Sequence, residues 1–281
     1  MTLNLDAVGT QTDGGFAEWT STDAILYALG VGAGAADPRR ELEYTTENSA
    51  GIVQRVLPTF PVVLGGGGGT DLGDFSMTQV LHAEQSVTLH ADLAPEGRLR
   101  RTNRVIEMLD KGEDALIVIG ASFTDPETGA AVAETTSTIF VRGEGGFGGP
   151  RGASTAWSVP EREPDAVVLL RTHPDQALLY RLSGDRNPLH SDPAFAAKAG
   201  FSTPILHGLC GYGFTGRALL SLVDDDPSRF GSMSARFAAP VLPGAELEVQ
   251  MWRTDAAAHS FQVLVDGRAV LSRGVFTERA R

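Results

Sequence analysis

The sequence predicts an α+β fold made of two similar halves, each a helix followed by an antiparallel meander of strands. Three observations carry that reading. Apolar residues recur at helical spacing over 209–223 (Leu209, Tyr212, Gly213, Gly216, Leu219, Leu220, Val223), strand-like runs follow at once, and residues 1–150 repeat the same order before residues 151–281. The halves share pattern, not residues.

In the first half Thr22-Asp23 is placed to cap a helix through Ile25, Leu26 and Leu29, ending at Gly30 and Gly32. Strands are expected at 86–93, 99–110, 115–123 and 135–141, with turns at Asp110-Lys111-Gly112 and over 125–129. Residues 143–152 hold six glycines and a proline, and read as the tail of the first unit and the start of a linker. The glycine run 65–69 lacks the Lys-Ser/Thr ending of a phosphate-binding loop and reads as a flexible loop. In the second half the helix is followed by strands at 232–237, 246–252, 260–265 and 268–276, the last two joined by the hairpin signal Asp266-Gly267.

The 281 residues are 42% apolar and 21% charged, the balance of a globular protein with a well-buried core. A formal charge of −12 argues against non-specific nucleic-acid binding. A local basic cluster remains (Arg98, Arg100, Arg101, Arg104, Lys111), readable as an anion site or as a solvated strand face. No apolar run spans a bilayer and no secretory leader or Ser-Lys-Leu ending is seen, so a cytoplasmic place without membrane contact is expected. The single cysteine, Cys210, excludes an internal disulfide and reads as a core residue. The six histidines are scattered, so no metal is expected.

The chemistry concentrates in residues 180–190. Asp185, Asn187 and His190 fall within six positions, with Pro188 fixing the turn, and an acid and an imidazole in one rigid loop can share a water and move its protons. An Asx turn is the plain alternative. Ser191 or Asp192, then Pro193, opens a short helix over 194–199 closed by Gly200, which pins the loop at its far end. Gly208 stands where a helix N-terminus adds its dipole to an N–H donor suited to an oxyanion. The His207 and His82 side chains read more readily as structural histidines.

The run Ser183-Gly184-Asp185-x-Asn187-Pro188-Leu189-His190 resembles the signature of the (R)-specific enoyl-CoA hydratases, the hydratase 2 or MaoC-like dehydratase family. The resemblance continues through Ile205-Leu206-His207-Gly208-Leu209-Cys210 and 235–244, and the first half adds Val80-Leu81-His82-Ala83-Glu84-Gln85 and Asp110-Lys111-Gly112. It implies a double hotdog: two long central helices, each wrapped by an antiparallel sheet, the sheets continuous. It also implies that only the second unit is catalytic, while the first accommodates the acyl chain.

By resemblance, Asp185 and His190 are the catalytic pair, Asn187 supports their loop and Gly208 donates to the thioester oxygen. His82, Ala83, Lys111, Arg186, Pro188, Leu189 and Phe237 are matched to substrate-lining positions, Lys111 also serving the CoA phosphates. Ala83 departs from the glycine common there. The implied activity is reversible syn hydration of a trans-2-enoyl-CoA to the (R)-3-hydroxyacyl-CoA, by a homodimer, without a cofactor because CoA is part of the substrate. Thioester hydrolysis and non-catalytic acyl-thioester binding are the competing readings.

Overall fold

In chain order the computed structural model, which describes residues 2–65, 70–153 and 157–280, contains β1 (Gln11–Trp19), α1 (Ser21–Gly30), α2 (Leu42–Thr45), α3 (Pro61–Leu64), β2 (Val80–Leu89), β3 (Gly97–Asp110), β4 (Ala115–Thr124) and β5 (Ala131–Val141). The second half contributes β6 (Ala166–Arg171), α4 (Gln176–Tyr180), α5 (Pro193–Lys198), α6 (Gly208–Leu220), β7 (Phe230–Phe237), β8 (Glu246–Asp255), β9 (Ala258–Val265) and β10 (Arg268–Glu278).

All strands join one antiparallel sheet in the order β1-β3-β4-β5-β2-β7-β10-β9-β8-β6. Each half supplies five neighbouring strands, and the two sets follow the same internal order outward from the β2·β7 seam. There Glu84 faces Arg236 and Thr88 faces Ser232, and the Arg236 Nε donates to the Glu84 carboxylate at 2.9 Å. Both members of that ion pair are about half exposed, so the seam is held mainly by backbone pairing and packing.

Helix α6 is buried along nearly its whole length, with Cys210, Tyr212, Phe214, Leu219 and Leu220 in the main core. Its glycines let the other half come close. A Cβ on Gly213 would stand 2.4 Å from Val31, and one on Gly216 would stand 2.4 Å from Thr59. Glycine costs a helix about 1 kcal/mol per position, here offset by the contact it permits.

Several expected elements shift. The cap of α1 is Thr20, not Thr22-Asp23: Thr20 and Asp23 form a reciprocal capping box, so the helix begins at Ser21. The first strand of the first meander starts at Val80 and ends at Leu89, instead of spanning 86–93. The edge strands β1 and β6 carry no clear sequence signal. β1 contains Asp13-Gly14-Gly15, a turn-like triplet that here forms a bulge, and β6 is only six residues long. Residues 143–152 pack against the first half rather than leaving it as a free linker, since Asp110 N–H donates to Pro150 and Gly145 N–H to Glu113. Of the run 65–69, residues 66–69 lie outside the described residues.

Candidate active site

The chain between β6 and α6 carries the acid and the imidazole. Asp185 accepts the Asn187 N–H at 3.0 Å, and Asn187 Oδ1 accepts the Leu189 N–H at 3.0 Å, so two successive Asx turns set the loop. Pro188 opens the single 3-10 turn that ends at His190, and Asp192 caps α5 immediately after it. The Asx turn and the acid–imidazole pair are therefore the same structure. Asp185 stays exposed, whereas His190 is buried.

His190 Nδ1 lies 2.9 Å from the Ile205 carbonyl. A carbonyl only accepts, so Nδ1 carries the proton and Nε2 presents its lone pair. Burial lowers the His190 pKa below its ordinary value, which favours this neutral form. A neutral imidazole with its outer nitrogen bare is a ready proton acceptor.

His207, read as a structural histidine, stacks on His190 with ring centroids 3.7 Å apart and planes 25° from parallel. Its Nε2 donates to the Asp185 backbone carbonyl at 3.3 Å, and its Nδ1 is buried without a partner. Burial first, then the neighbouring His190, brings its pKa down to about 4. Donor atoms of Asp185, His190 and His207 all lie within 4.8 Å of one another. Scattered positions in sequence thus converge in space. One nitrogen of each ring is engaged by a backbone carbonyl, which leaves one bare nitrogen on each.

Gly208 opens α6, and its N–H makes no hydrogen bond to a described residue. A Cβ there would meet the Phe237 ring at 3.0 Å, so glycine is needed for β7 to come this near the helix end. His82 reaches the same place from the first half. Its ring centroid is 4.7 Å from that of Phe237, and Asp185 contributes to the field on it. Burial lowers its pKa to about 4, and its Nε2 has no partner. Ala83 is the extra residue of a bulge in β2, between His82 paired with Ile139 and Glu84 paired with Thr138, and lies just beyond the β2·β7 pairing. A bulge re-aims the adjoining side chain, here His82 at the seam.

Other expected positions are less central. Arg186 and Pro188 are exposed, and the Leu189 carbonyl accepts the Ile205 N–H at 3.3 Å. Lys111 stands beyond the end of β3, three strands from β2, and its Nζ donates to the Arg151 carbonyl. The basic cluster assembles only in part. Arg98 and Arg100 share the Phe16 ring, Arg100 also pairing with Asp13 at 2.7 Å, while Arg101 donates to the Leu64 and Gly14 carbonyls. Arg98, Arg100 and Arg104 alternate onto one exposed face of β3, the solvated strand face, and Arg101 turns to the other.

Comparison with known proteins places both halves of the chain. Residues 17–143 match the MFE-2 hydratase 2 N-terminal domain and residues 156–273 the MaoC like domain. The chain is 46% identical, over 95% of its length and 93% of the relative's, to 3-hydroxyacyl-thioester dehydratase Y of Mycobacterium tuberculosis. This chain is a member of the MaoC-like dehydratase family. As a MaoC-like chain it is also 44% identical to enoyl-CoA hydratase ChsH3 of Mycobacterium tuberculosis, over 90% of each chain. It is 40% identical, over 92% of its own length and 36% of the relative's, to peroxisomal multifunctional enzyme type 2 of Mus musculus. Among solved structures, a MaoC-like dehydratase from Phytophthora Capsici superposes with a TM-score of 0.88 at 31% identity, covering 99% of this chain and 98% of the other. The double hotdog expected from the signature is the fold observed, with a long central helix, α6, in the second half and only the four-residue α3 in the corresponding place of the first.

What the signature left unread in this MaoC-like chain is its support. The Ile205 carbonyl fixes the His190 tautomer and His207 packs on the ring. Both lie on a segment 15 or more residues downstream, brought back by α5 and its turn, and no local pattern marks that return.

Proposed function

We propose that the chain is an (R)-specific enoyl-CoA hydratase, a hydro-lyase that adds water reversibly to a trans-2-enoyl-CoA. The observation that carries this reading is the meeting of the Asp185 carboxylate and the His190 imidazole within 4.8 Å, next to an α6 N-terminus whose first N–H is free. The family and its named hydratase relatives support the same substrate class, an acyl-CoA thioester.

In this mechanism a water is held by Asp185 and by the bare Nε2 of His190. Its oxygen bonds to C3 while Nε2 takes one of its protons, and the C2=C3 electrons move toward the thioester oxygen. The Gly208 N–H and the α6 dipole stabilise that oxygen; an oxyanion donor of this kind is worth about 3 kcal/mol. The imidazolium then returns the proton to C2 on the same face, so H and OH both come from one water and addition is syn. Asp185 holds the remaining water hydrogen and steadies the imidazolium. The thioester polarises the alkene, so the proposal includes neither metal nor organic cofactor.

His82 and Phe237 would flank the thioester at the seam, and Asn187, Arg186, Pro188 and Leu189 would shape the loop beside it. The first half would take the acyl chain. A homodimer and a cytoplasmic place belong to the same proposal. No helix among the described residues is long and apolar enough to cross a membrane.

The test is an assay on enoyl-CoA esters with chiral analysis of product. Loss of enoyl absorbance with formation of the (R)-3-hydroxy ester and no free thiol supports hydration. Thiol release in place of hydroxy ester would establish hydrolysis, and saturable binding without turnover would leave only a binding protein.

A further inference from the structure

The ten-stranded sheet has two free edges, and they differ. At one, β1 is interrupted by the bulge between Asp13 and Phe16, and charges line its exposed face: Asp13 and Glu18 of β1, Arg98 and Arg100 of the neighbouring β3. Bulges and charges blunt an edge against pairing with another chain. At the other, β6 pairs with β8 in unbroken register, from Ala166 opposite Met251 to Arg171 opposite Glu246. Ala166, Val168 and Leu170 pack on the main core, while Val167 and Leu169 are 47% and 59% exposed. β6 thus presents a regular, apolar edge with β8 on one side only.

Alternate residues of an edge strand turn their N–H and C=O groups away from the single neighbour. The Thr172 N–H donates to the Ala245 carbonyl, one step beyond the Arg171–Glu246 pair. Counting back by twos, Leu170, Val168 and Ala166 bond β8, and the outward groups belong to Val167, Leu169 and Arg171. A second β6 laid antiparallel therefore bonds odd residue to odd residue. Centred on Val168, the pairing sets Val167 against Leu169 of the second copy and Arg171 against Asp165 of the second copy, twice over by symmetry. Centring on Val167 would set Leu169 against Asp165, and centring on Leu169 would set Arg171 against Val167. Charge favours the first register as well. The approach to β6 carries Glu161, Glu163 and Asp165 against Arg162 alone, and since Asp165 pairs with Arg162 at 2.6 Å, the two glutamates leave it net negative. At the far end Arg171 is exposed and has no ion pair among the described residues.

We propose that β6 is the surface on which a second copy of this chain docks, the two strands pairing antiparallel about Val168 so that two ten-stranded sheets become one. The inference gives the homodimer of the reading above its surface, and it rests on that part of the reading, not on the hydratase chemistry. Backbone hydrogen bonds supply the attachment, and a Val167–Leu169 pair on each side of the axis shields them from water. Six residues a side make a smaller interface than a standard dimer's, so the copies join and part with concentration.

The experiment is sedimentation velocity on the whole chain across a concentration series. The wild type is expected to pass from monomer to dimer, and Leu169→Lys to raise the midpoint of that passage at least about tenfold, since a lysine on an edge opposes pairing. Leu169→Pro, which removes one outward N–H and leaves the β8 ladder whole, is expected to act the same way. Register is read by oxidation: Val167→Cys mixed with Leu169→Cys should form a covalent dimer. Neither variant alone should, because like positions then stand two residues out of step and beyond disulfide reach. Cys210 is buried and does not compete. A wild type that stays monomeric, or a midpoint unmoved by both Leu169 variants, overturns the docking surface. No cross-link in the mixture, or one equally strong in Leu169→Cys alone, overturns the register. Sedimentation reads the contact whether or not the chain hydrates an enoyl ester, so failure of the hydratase reading is a separate result.

Discussion

The two halves place a tyrosine helix at matching points and then diverge. Helix α1 ends in Tyr27-Ala-Leu-Gly30 and continues Val-Gly, α4 ends in Tyr180 and continues Arg-Leu-Ser-Gly-Asp, and the Tyr27 and Tyr180 rings lie 6.2 Å apart. Past Tyr27 the small residues 30–34 form a turn against α6, where a Cβ on Gly32 would run into Phe214 at 2.4 Å. Past Tyr180 the chain supplies Asp185, Asn187 and His190 instead. The helices that follow differ as well. α3 has four residues and begins with Pro61, which has no N–H to offer, whereas α6 has thirteen and begins with Gly208, whose N–H bonds to none of the described residues. One scaffold thus carries an acid–imidazole pair at one end and none at the other, and a short loop and the first residue of a helix account for the difference.

The sharpest way to break this contrast is to remove the pair that only the second half owns. Asp185→Asn and His190→Ala should each lower kcat by at least about 100-fold, read by loss of enoyl absorbance, with the circular dichroism spectrum retained. Near-normal turnover in either variant ends the assignment.

Next in size is a pH effect from the histidines gathered at the seam. Burial lowers the His82 and His207 pKa values to about 4 in the folded chain, against an ordinary value near 6.5. Below pH 6.5 the unfolded chain binds protons that the folded chain refuses, so stability is full above pH 6.5 and falls as pH drops toward 4. The loss should be on the order of 2–3 kcal/mol per histidine, read from denaturant midpoints between pH 7.5 and 4.5, and His82→Gln should flatten the slope. A midpoint independent of pH over that window contradicts the burial argument.

A smaller effect tests the helix start. Gly208→Ala should cost about tenfold in kcat/KM because its methyl displaces the Phe237 ring, and Phe237→Leu in the same chain should recover part of it. Simple additivity of the two losses would show that the ring contact is not the cause.

The smallest prediction compares the paired tyrosines. Tyr27 donates to Thr59 at 2.9 Å, while the Tyr180 hydroxyl is buried without a partner. Tyr27→Phe should therefore cost about 1 kcal/mol of unfolding free energy and Tyr180→Phe distinctly less. The reverse order would mean that the Tyr180 hydroxyl is bonded in solution.

The strands of both meanders were legible because period-two patterning and turn residues such as Asp266-Gly267 act locally. The Asp185–His190 loop was legible for the same reason, since two Asx turns and a proline are written into consecutive residues. Edge strands β1 and β6 were not, because an edge strand needs less apolar alternation and β1 tolerates two glycines at its bulge. The His207 stack was equally hidden, since nothing in residues 205–208 says that they return to the loop.

By itself the sequence determined the α+β pattern, the loop carrying acid and imidazole, and the glycine at the helix start, all set by interactions spanning a few residues. Tertiary structure alone decided that His82 crosses a seam to meet Phe237, that His207 lies on His190, and that Arg151 lies beside Lys111. Those outcomes depend on which strands pair and which faces turn inward, and such choices are settled only when distant segments pack together.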